Sequence, residues 1–473
     1  MARAADADEA AEKCICSSCI GDEYLKAQVE REGVVGNCDY CNTGGSTISI
    51  GDLAELAHEV FETYFERTAS EPEGVEAIAN REPEGGYNWE RKGDPANELI
   101  QEFARVDDEP ANDVCMVLAE QHNSMDEWNE EQEYGEEACY ADKDIFAERF
   151  HFRWAEFERS LRTEARLFNK AARELFEDKF EGITQHVPKA GTAIFVSAGP
   201  RTAMPVFFRA RAFSPGPDLE KALAQPDTNL GPPPLSVATP GRMNARGISV
   251  FYGATTPDVA LAEVRPPVGS RVVIAQFEVL RPLKLLAIQE LQSVYARGSL
   301  FDPDHLPRVE RARFLGRISA LMSMPIMPSD DGFDYIVTQA IAEYLANESG
   351  LDIDGLLFPS VQTGDDGLNV VLFRKASRVQ KWESHGTVEV DSYMSGEEGP
   401  EEDYRVTESI NPEAKAAMRE PPWRTERDER QPTLAIDVKT LHVHVVRAVK
   451  FKTTDYPVRW RVVDPDITHW SVV

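Results

Sequence analysis

Cationic side chains are scarce in this chain of 473 residues, where 50 lysines and arginines stand against 82 aspartates and glutamates for a formal charge of −32. A field of that sign repels a phosphate backbone, and no basic stripe interrupts it, so nucleic acid is not the expected partner. Long apolar runs are missing too, which excludes a membrane-spanning helix on length. Met1 to Glu12 is acidic and alanine-rich where a secretory leader would be basic and then apolar. The expected location is therefore the cytoplasm. Neither GxGxxG after a strand nor GxxxxGK[ST] occurs, and GxSxG and HExxH are absent. Their absence removes the simplest dehydrogenase, NTPase, hydrolase and metalloprotease readings. Cysteine, with seven copies, is too sparse and odd in number for a disulfide framework.

The cysteines present are crowded. Cys16 and Cys19 form one Cys-x-x-Cys pair and Cys38 and Cys41 a second, with eighteen residues between the pairs. Two such knuckles suit a tetrahedral zinc ion, each short turn presenting two thiolates. Four thiolates leave no open coordination position, so a structural role is expected. Cys14 is left over, and Cys115 and Cys139 read as apolar core residues. Residues 1–46 are thus a zinc-ribbon segment.

Residues 47–185 read as a helical domain. Asp52 with Glu55 resembles a capping box, and Leu53, Leu56, Ala57, Val60, Phe61, Tyr64 and Phe65 share one helical face behind it. Further helices are predicted over Glu98–Val106, Asp113–His122 and one long stretch from Asp144 to about Phe180, with a Gly/Pro-rich acidic loop from Glu71 to Pro95. His58 and His151 fall inside this block and read as packed or solvated histidines.

From about Ile194 the texture changes to short strands, at Val206–Ala212, Ile248–Ala254, Arg271–Leu280, Leu283–Ile288, Gly355–Pro359 and Leu368–Arg374, mixed with helices over Pro257–Glu263, Arg308–Met322 and Ser329–Asn347. No regular βαβ alternation is present, so the fold class is α+β, with residues 193–383 as a mixed domain. Residues 384–430 form an acidic insertion expected to be a surface loop or poorly ordered. Residues 431–473 return to strands, where His442 and His444 share one face; a solvated strand face is preferred there to a metal pair.

The chemistry-bearing residues lie in a turn–strand–helix run. Arg242, Tyr252 and Glu263 are spaced ten and then eleven residues apart. Arginine offers a fork for phosphate, tyrosine a stacking face, and the carboxylate can stabilise developing positive charge, which together suit a phosphorylated sugar. Taken one at a time, Glu263 and Arg265 also fit a surface ion pair, Tyr252 a core position and Ser360 a turn.

FFRAR (Phe207–Arg211), GRMNARGISVFYGA (Gly241–Ala254), LAEVR (Leu261–Arg265), and LFPS followed by GLNVVLF (Leu357–Phe373) resemble the successive signatures of the RES domain family. CSSCIGDEYLK and GNCDYCN resemble the start of the HEPN-like domain often fused to it. The resemblance implies a fold akin to ADP-ribosyltransferases and cleavage of NAD at the nicotinamide–ribose bond, with phosphate, water or a protein as acceptor. Carried over, the catalytic positions are Arg242, Tyr252, Glu263 and Ser360, with Arg209, Asn244 and Asn369 as supporting NAD-binding positions. Relatives commonly show two serines where this chain has Ser360-Val361. On this reading Glu263 stabilises an oxocarbenium-like ribosyl centre, Tyr252 packs on the nicotinamide end, Arg242 holds pyrophosphate or inorganic phosphate, and Ser360 bonds the ribose or the nicotinamide amide. A toxin or defence effector is the implied biology, leaving room for an antitoxin or other regulatory partner and for a homo-oligomer. The competing readings are a non-catalytic sensor of NAD or ADP-ribose and an RNA-cleaving HEPN protein. The second is disfavoured because Arg149 and His151 are too close together for the arginine–histidine pair of HEPN nucleases.

Overall fold

The computed structural model describes residues 2–72, 89–122, 132–135, 137–143, 145–165, 169–183, 193–324, 335–363, 367–384, 386–392, 394–396, 399–410, 428–450, 452–458 and 460. Helices and sheets are mixed, in keeping with an α+β chain. Two compact units interleave along the sequence: one gathers residues 1–196, 239–246 and 285–358, the other 197–238, 247–284 and 359–473. Among the described residues no helix is long and apolar enough to cross a membrane.

The first unit opens with helix Ala2–Glu12 and a small antiparallel sheet in which strand Gly44–Ser49 lies between Cys14–Cys16 and Val34–Asn37. Helices Ile50–Tyr64, Ala96–Ala104 and Asp108–Gln121 close a core around Ile15, Leu25, Leu53, Phe61, Ile100 and Leu118. The first of these starts one turn earlier than the predicted capping box. Ser49 is its N-cap, its Oγ accepting from the Asp52 amide at 3.0 Å, because a hydroxyl directly before the apolar run satisfies an amide that the helix leaves open. His58 stacks on His122 with ring centroids 3.7 Å apart, and its Nδ1 lies 2.8 Å from the Tyr134 hydroxyl, which makes it a packed histidine.

The long helix expected from Asp144 to Phe180 is two helices, Ile145–Thr163 and Lys170–Phe180. Asn169 caps the second, accepting from the Ala172 amide at 2.9 Å. The apolar period carries across the break, so periodicity alone joins the two. The side chains of Arg149 and His151 lie outside the described residues, as do Leu167, Phe168, residues 73–88 of the Glu71–Pro95 loop, and the first turns of the helix expected from Ser329. Helices His305–Ser323 and Tyr335–Asn347 complete this layer, Trp154 packing on Phe314 and Phe176 on Tyr344 with centroids 5.9 and 5.1 Å apart. The segment before them is tied to the N-terminal helices: Ser299 Oγ donates to the buried Asp22 carboxylate at 2.7 Å, and Phe301 meets Phe103 edge-on.

The second unit is built on an antiparallel sheet with strands Leu434–Val445, Arg271–Val279, Val206–Phe213, Phe251–Ala254 and Leu368–Leu372 side by side in that order. The strand texture expected from residue 431 onward gives one long strand, Leu434–Val445, paired along Arg271–Val279 with a register shift between Ile274 and Gln276. His442 and His444 are exposed with ring centroids 6.3 Å apart, as expected of a solvated face. Helix Pro257–Glu263 packs on one sheet face, covering Ala210, Ala254, Val272 and Ile274. The acidic insertion is not a bare loop. Strands Gly386–Asp391 and Arg405–Ile410 form an antiparallel hairpin, anchored by an ion pair between Arg271 and Glu402 and by Ser392 donating to Glu220 at 3.0 Å. Alternating Val388, Val390 and Val406 among charged neighbours allow the pairing, a pattern masked in sequence by the acidic composition. Residues 411–427 of the insertion lie outside the described set.

Candidate active site and metal centre

Helix Pro257–Glu263 begins at Thr256, whose Oγ1 accepts from the Val259 amide at 3.4 Å, with proline at the first helical position. It stops just past Glu263, with Arg265 in the left-handed region at φ 43°. Glu263 therefore sits at the C-terminal end of its helix, where the helix dipole disfavours a carboxylate. Side-chain donors offset this. Ser360 Oγ donates to Glu263 Oε1 at 2.6 Å, and Asn369 Nδ2 donates to the same oxygen at 2.8 Å. Ser360 is 0% and Asn369 6% exposed, while Glu263 itself is exposed. A carboxylate at the surface is thus gripped from beneath by two buried neutral donors.

The local sequence explains this delivery. Ser360 follows the strand Gly355–Pro359, and its own amide bonds Gly367 O at 3.0 Å, closing the loop that leads into Leu368–Leu372. Gly367 has φ 150°, and a Cβ there would come within 2.3 Å of Val259 Cγ2, so glycine is required for the loop to lie against the Glu263 helix. Asn369 faces Ala254 across the sheet. Tyr252, two residues before Ala254 and half-buried, shares that face by strand alternation.

The two arginines are placed differently. Arg209 lies on strand Val206–Phe213 opposite Ala275. Alternation starts its side chain on the face away from Ala210 and the Glu263 helix. Its guanidinium stacks 5.5 Å over the Phe251 ring, and its Nη1 is buried with no hydrogen-bond partner among the described residues. Burial pushes its pKa down to about 10, the nearby Arg211 adds to that, and an electrostatic interaction with Tyr252 works in the other direction. Arg242, in the first unit, is engaged: Nη1 donates to Met322 O at 2.8 Å, and its carbonyl accepts from Thr338 Oγ1 at 2.8 Å. Gln339 Nε2 bonds the carbonyls of Gly241 and Asn244 at 2.8 and 3.0 Å, and buried Asn244 donates to Thr239 O at 3.0 Å. Arg242 and Asn244 are accordingly built into a tight turn on helix ends. Sequence reading placed Ser360 on the substrate and Asn369 among the supporting NAD-binding positions; their convergence on one oxygen of Glu263 joins it to residues 97 and 106 positions away, which no local signal marks.

The four expected cysteines converge. The Sγ atoms of Cys16, Cys19, Cys38 and Cys41 all lie within 4.8 Å of one another, with separations of 3.6 Å for Cys16–Cys41, 3.7 Å for Cys16–Cys19 and 3.9 Å for Cys19–Cys38. Thiolates about 2.3 Å from a tetrahedral zinc stand roughly 3.8 Å apart, so the cluster fits that ion. Among the described residues it is the only group of three or more His, Cys, Asp or Glu able to hold a metal. Cys14 stays outside it, its thiol 3.8 Å from Glu12 O, and Cys115 and Cys139 are half-buried. A further anchor was not read from the sequence: Tyr40, between the last two cysteines, donates to buried Asp113 at 2.6 Å, and Lys13 reaches the same carboxylate oxygen at 2.8 Å.

No curated protein and no solved structure matches the chain. Two family models do. The RES domain matches residues 212–391, which include Arg242, Asn244, Tyr252, Glu263, Ser360 and Asn369 but not Arg209. The HEPN/RES N-terminal domain 1 matches residues 31–174, which include the second cysteine pair but not the first. The turn, the strand–helix unit and the serine loop thus fall within one matched domain and helices Ile50–Tyr64, Ala96–Ala104, Asp108–Gln121 and Ile145–Thr163 within the other, so the chain carries a RES domain behind a HEPN/RES N-terminal domain.

Proposed function

We propose that the protein cleaves NAD at the nicotinamide–ribose bond, with inorganic phosphate or water taking the ADP-ribosyl group. The observation that supports this reading best is an exposed carboxylate fixed in place at an unfavourable helix end by two buried donors, within the residues matched by the RES domain. In the reaction the C1′–N bond breaks and its electron pair leaves with the pyridinium nitrogen, giving neutral nicotinamide. Positive charge builds on the ribose, and Glu263 stabilises it across a short distance. An oxygen of phosphate or water then bonds C1′, releasing its proton to solvent. Tyr252 offers its ring to the nicotinamide end. Arg209 is the preferred group for the pyrophosphate, because its Nη1 has no hydrogen-bond partner among the described residues whereas Arg242 Nη1 donates to Met322 O, and its electrostatic interaction with Tyr252 links it to the site although its side chain starts on the far sheet face. Such an activity depletes a central cofactor and suits a toxin or defence effector.

The cysteine cluster is proposed to hold zinc in a structural capacity, fastening the first strands to helix Asp108–Gln121 through Tyr40 and Asp113. The activity is tested by incubating purified protein with NAD, with and without phosphate, and following products by mass. Nicotinamide together with ADP-ribose phosphate identifies a phosphorylase, and nicotinamide with free ADP-ribose a hydrolase. An intact NAD pool after incubation with folded, zinc-loaded protein removes both.

A further inference from the structure

Both hydrogen bonds to Glu263 fall on Oε1. Among the described residues Oε2 has no partner. We infer that Asn369 and Ser360 are positioning residues that assign the two carboxylate oxygens different tasks, Oε1 holding the group in place and Oε2 facing the reacting ribose. This rests on the NAD-cleaving reading of the same site.

The geometry bears the inference in three ways. First, a glutamate at a helix end has three rotatable bonds and would sample several directions; two donors to one oxygen remove that freedom before substrate arrives, so orientation is not left to binding. Second, both donors are buried and themselves constrained. Asn369 sits within the strand Leu368–Leu372, and the Ser360 hydroxyl also accepts from the Gln362 amide at 3.3 Å, which orients its O–H towards the carboxylate. Third, the single hydroxyl proton of Ser360 is committed to Glu263, and Asn369 reaches the same oxygen from the sheet face opposite Ala254. Ser360 therefore acts through Glu263 and not on the ribose directly.

Asn369→Asp tests this sharply because it preserves shape while replacing a donor by a second carboxylate beside Glu263. The expected result is that Asn369→Asp loses more kcat than Asn369→Ala, roughly a hundredfold against tenfold, with KM for NAD moving less than about threefold in both. A purely structural role ranks the variants the other way, the isostere being the milder. A second readout needs no activity. The pair Glu263→Gln with Asn369→Asp recreates one hydrogen bond with reversed polarity, so the double variant should recover thermal stability that Asn369→Asp alone loses, while remaining inactive. Equal kcat for Asn369→Asp and wild type, or strictly additive stabilities in the cycle, overturns the inference. If Glu263→Gln itself keeps full NAD turnover, the NAD reading fails instead; the stability cycle still decides whether the two side chains are coupled.

Discussion

At the residue scale, the site turns on which arginine is free to receive an anion. Arg242 lies in the GRMN turn, where its Nη1 donates to Met322 O and its carbonyl accepts from Thr338 Oγ1. Arg209, in the FFRAR segment, has a buried nitrogen without a partner among the described residues and a pKa lowered by burial to about 10. An N–H in that condition gains more from an incoming phosphate oxygen than one already bonded. Replacing Arg209 by Met, an unbranched apolar side chain that removes the charge, should raise KM for NAD about tenfold or more and leave thermal stability near wild type; steady-state kinetics and a melting curve check both. An unchanged KM would return the anion role to another side chain. Residue types were legible in the sequence here, and partners were not. Nothing near position 369 announces Glu263, because the two meet only once the sheet is paired through Ala254.

At the element scale, local signals succeeded where they were strong and misled where two elements shared one periodicity. Thr256-Pro257 marks the start of the Glu263 helix in sequence as in structure. The apolar stripe from Asp144 to Phe180 concealed a break that Asn169 caps. Acidic composition concealed the hairpin of Gly386–Asp391 with Arg405–Ile410. The cysteine pairs were legible from spacing, but their fastening to helix Asp108–Gln121 was not, since Tyr40 and Asp113 lie 73 residues apart. Tyr40→Phe removes a hydrogen bond to a buried carboxylate and should lower stability by about 1–2 kcal/mol. Stripping metal with a chelator should lower the melting temperature of the wild-type protein in the same direction, and added zinc should restore it. A melting curve indifferent to chelator would leave the four thiols as a metal-free cluster.

At the scale of the whole molecule, the excess of acidic side chains opposes folding through self-repulsion and is screened by salt. Raising sodium chloride from about 20 mM to about 300 mM, which shortens the Debye length to below 10 Å, should therefore raise the melting temperature. A fall would show that local ion pairs such as Arg271–Glu402 outweigh the general repulsion. Fold class was legible at this scale because α and β textures segregate along the chain. The interleaving of the two compact units was not, since segments 239–246 and 285–358 join the N-terminal unit through packing at long range.

The most direct test of the account is the rate of nicotinamide release from NAD by wild-type protein and by Glu263→Gln, each shown to be folded by its melting curve. The account predicts release by the wild type and a loss of at least a hundredfold in the variant, since Gln keeps the shape and removes the charge. Equal rates in the two proteins would contradict it.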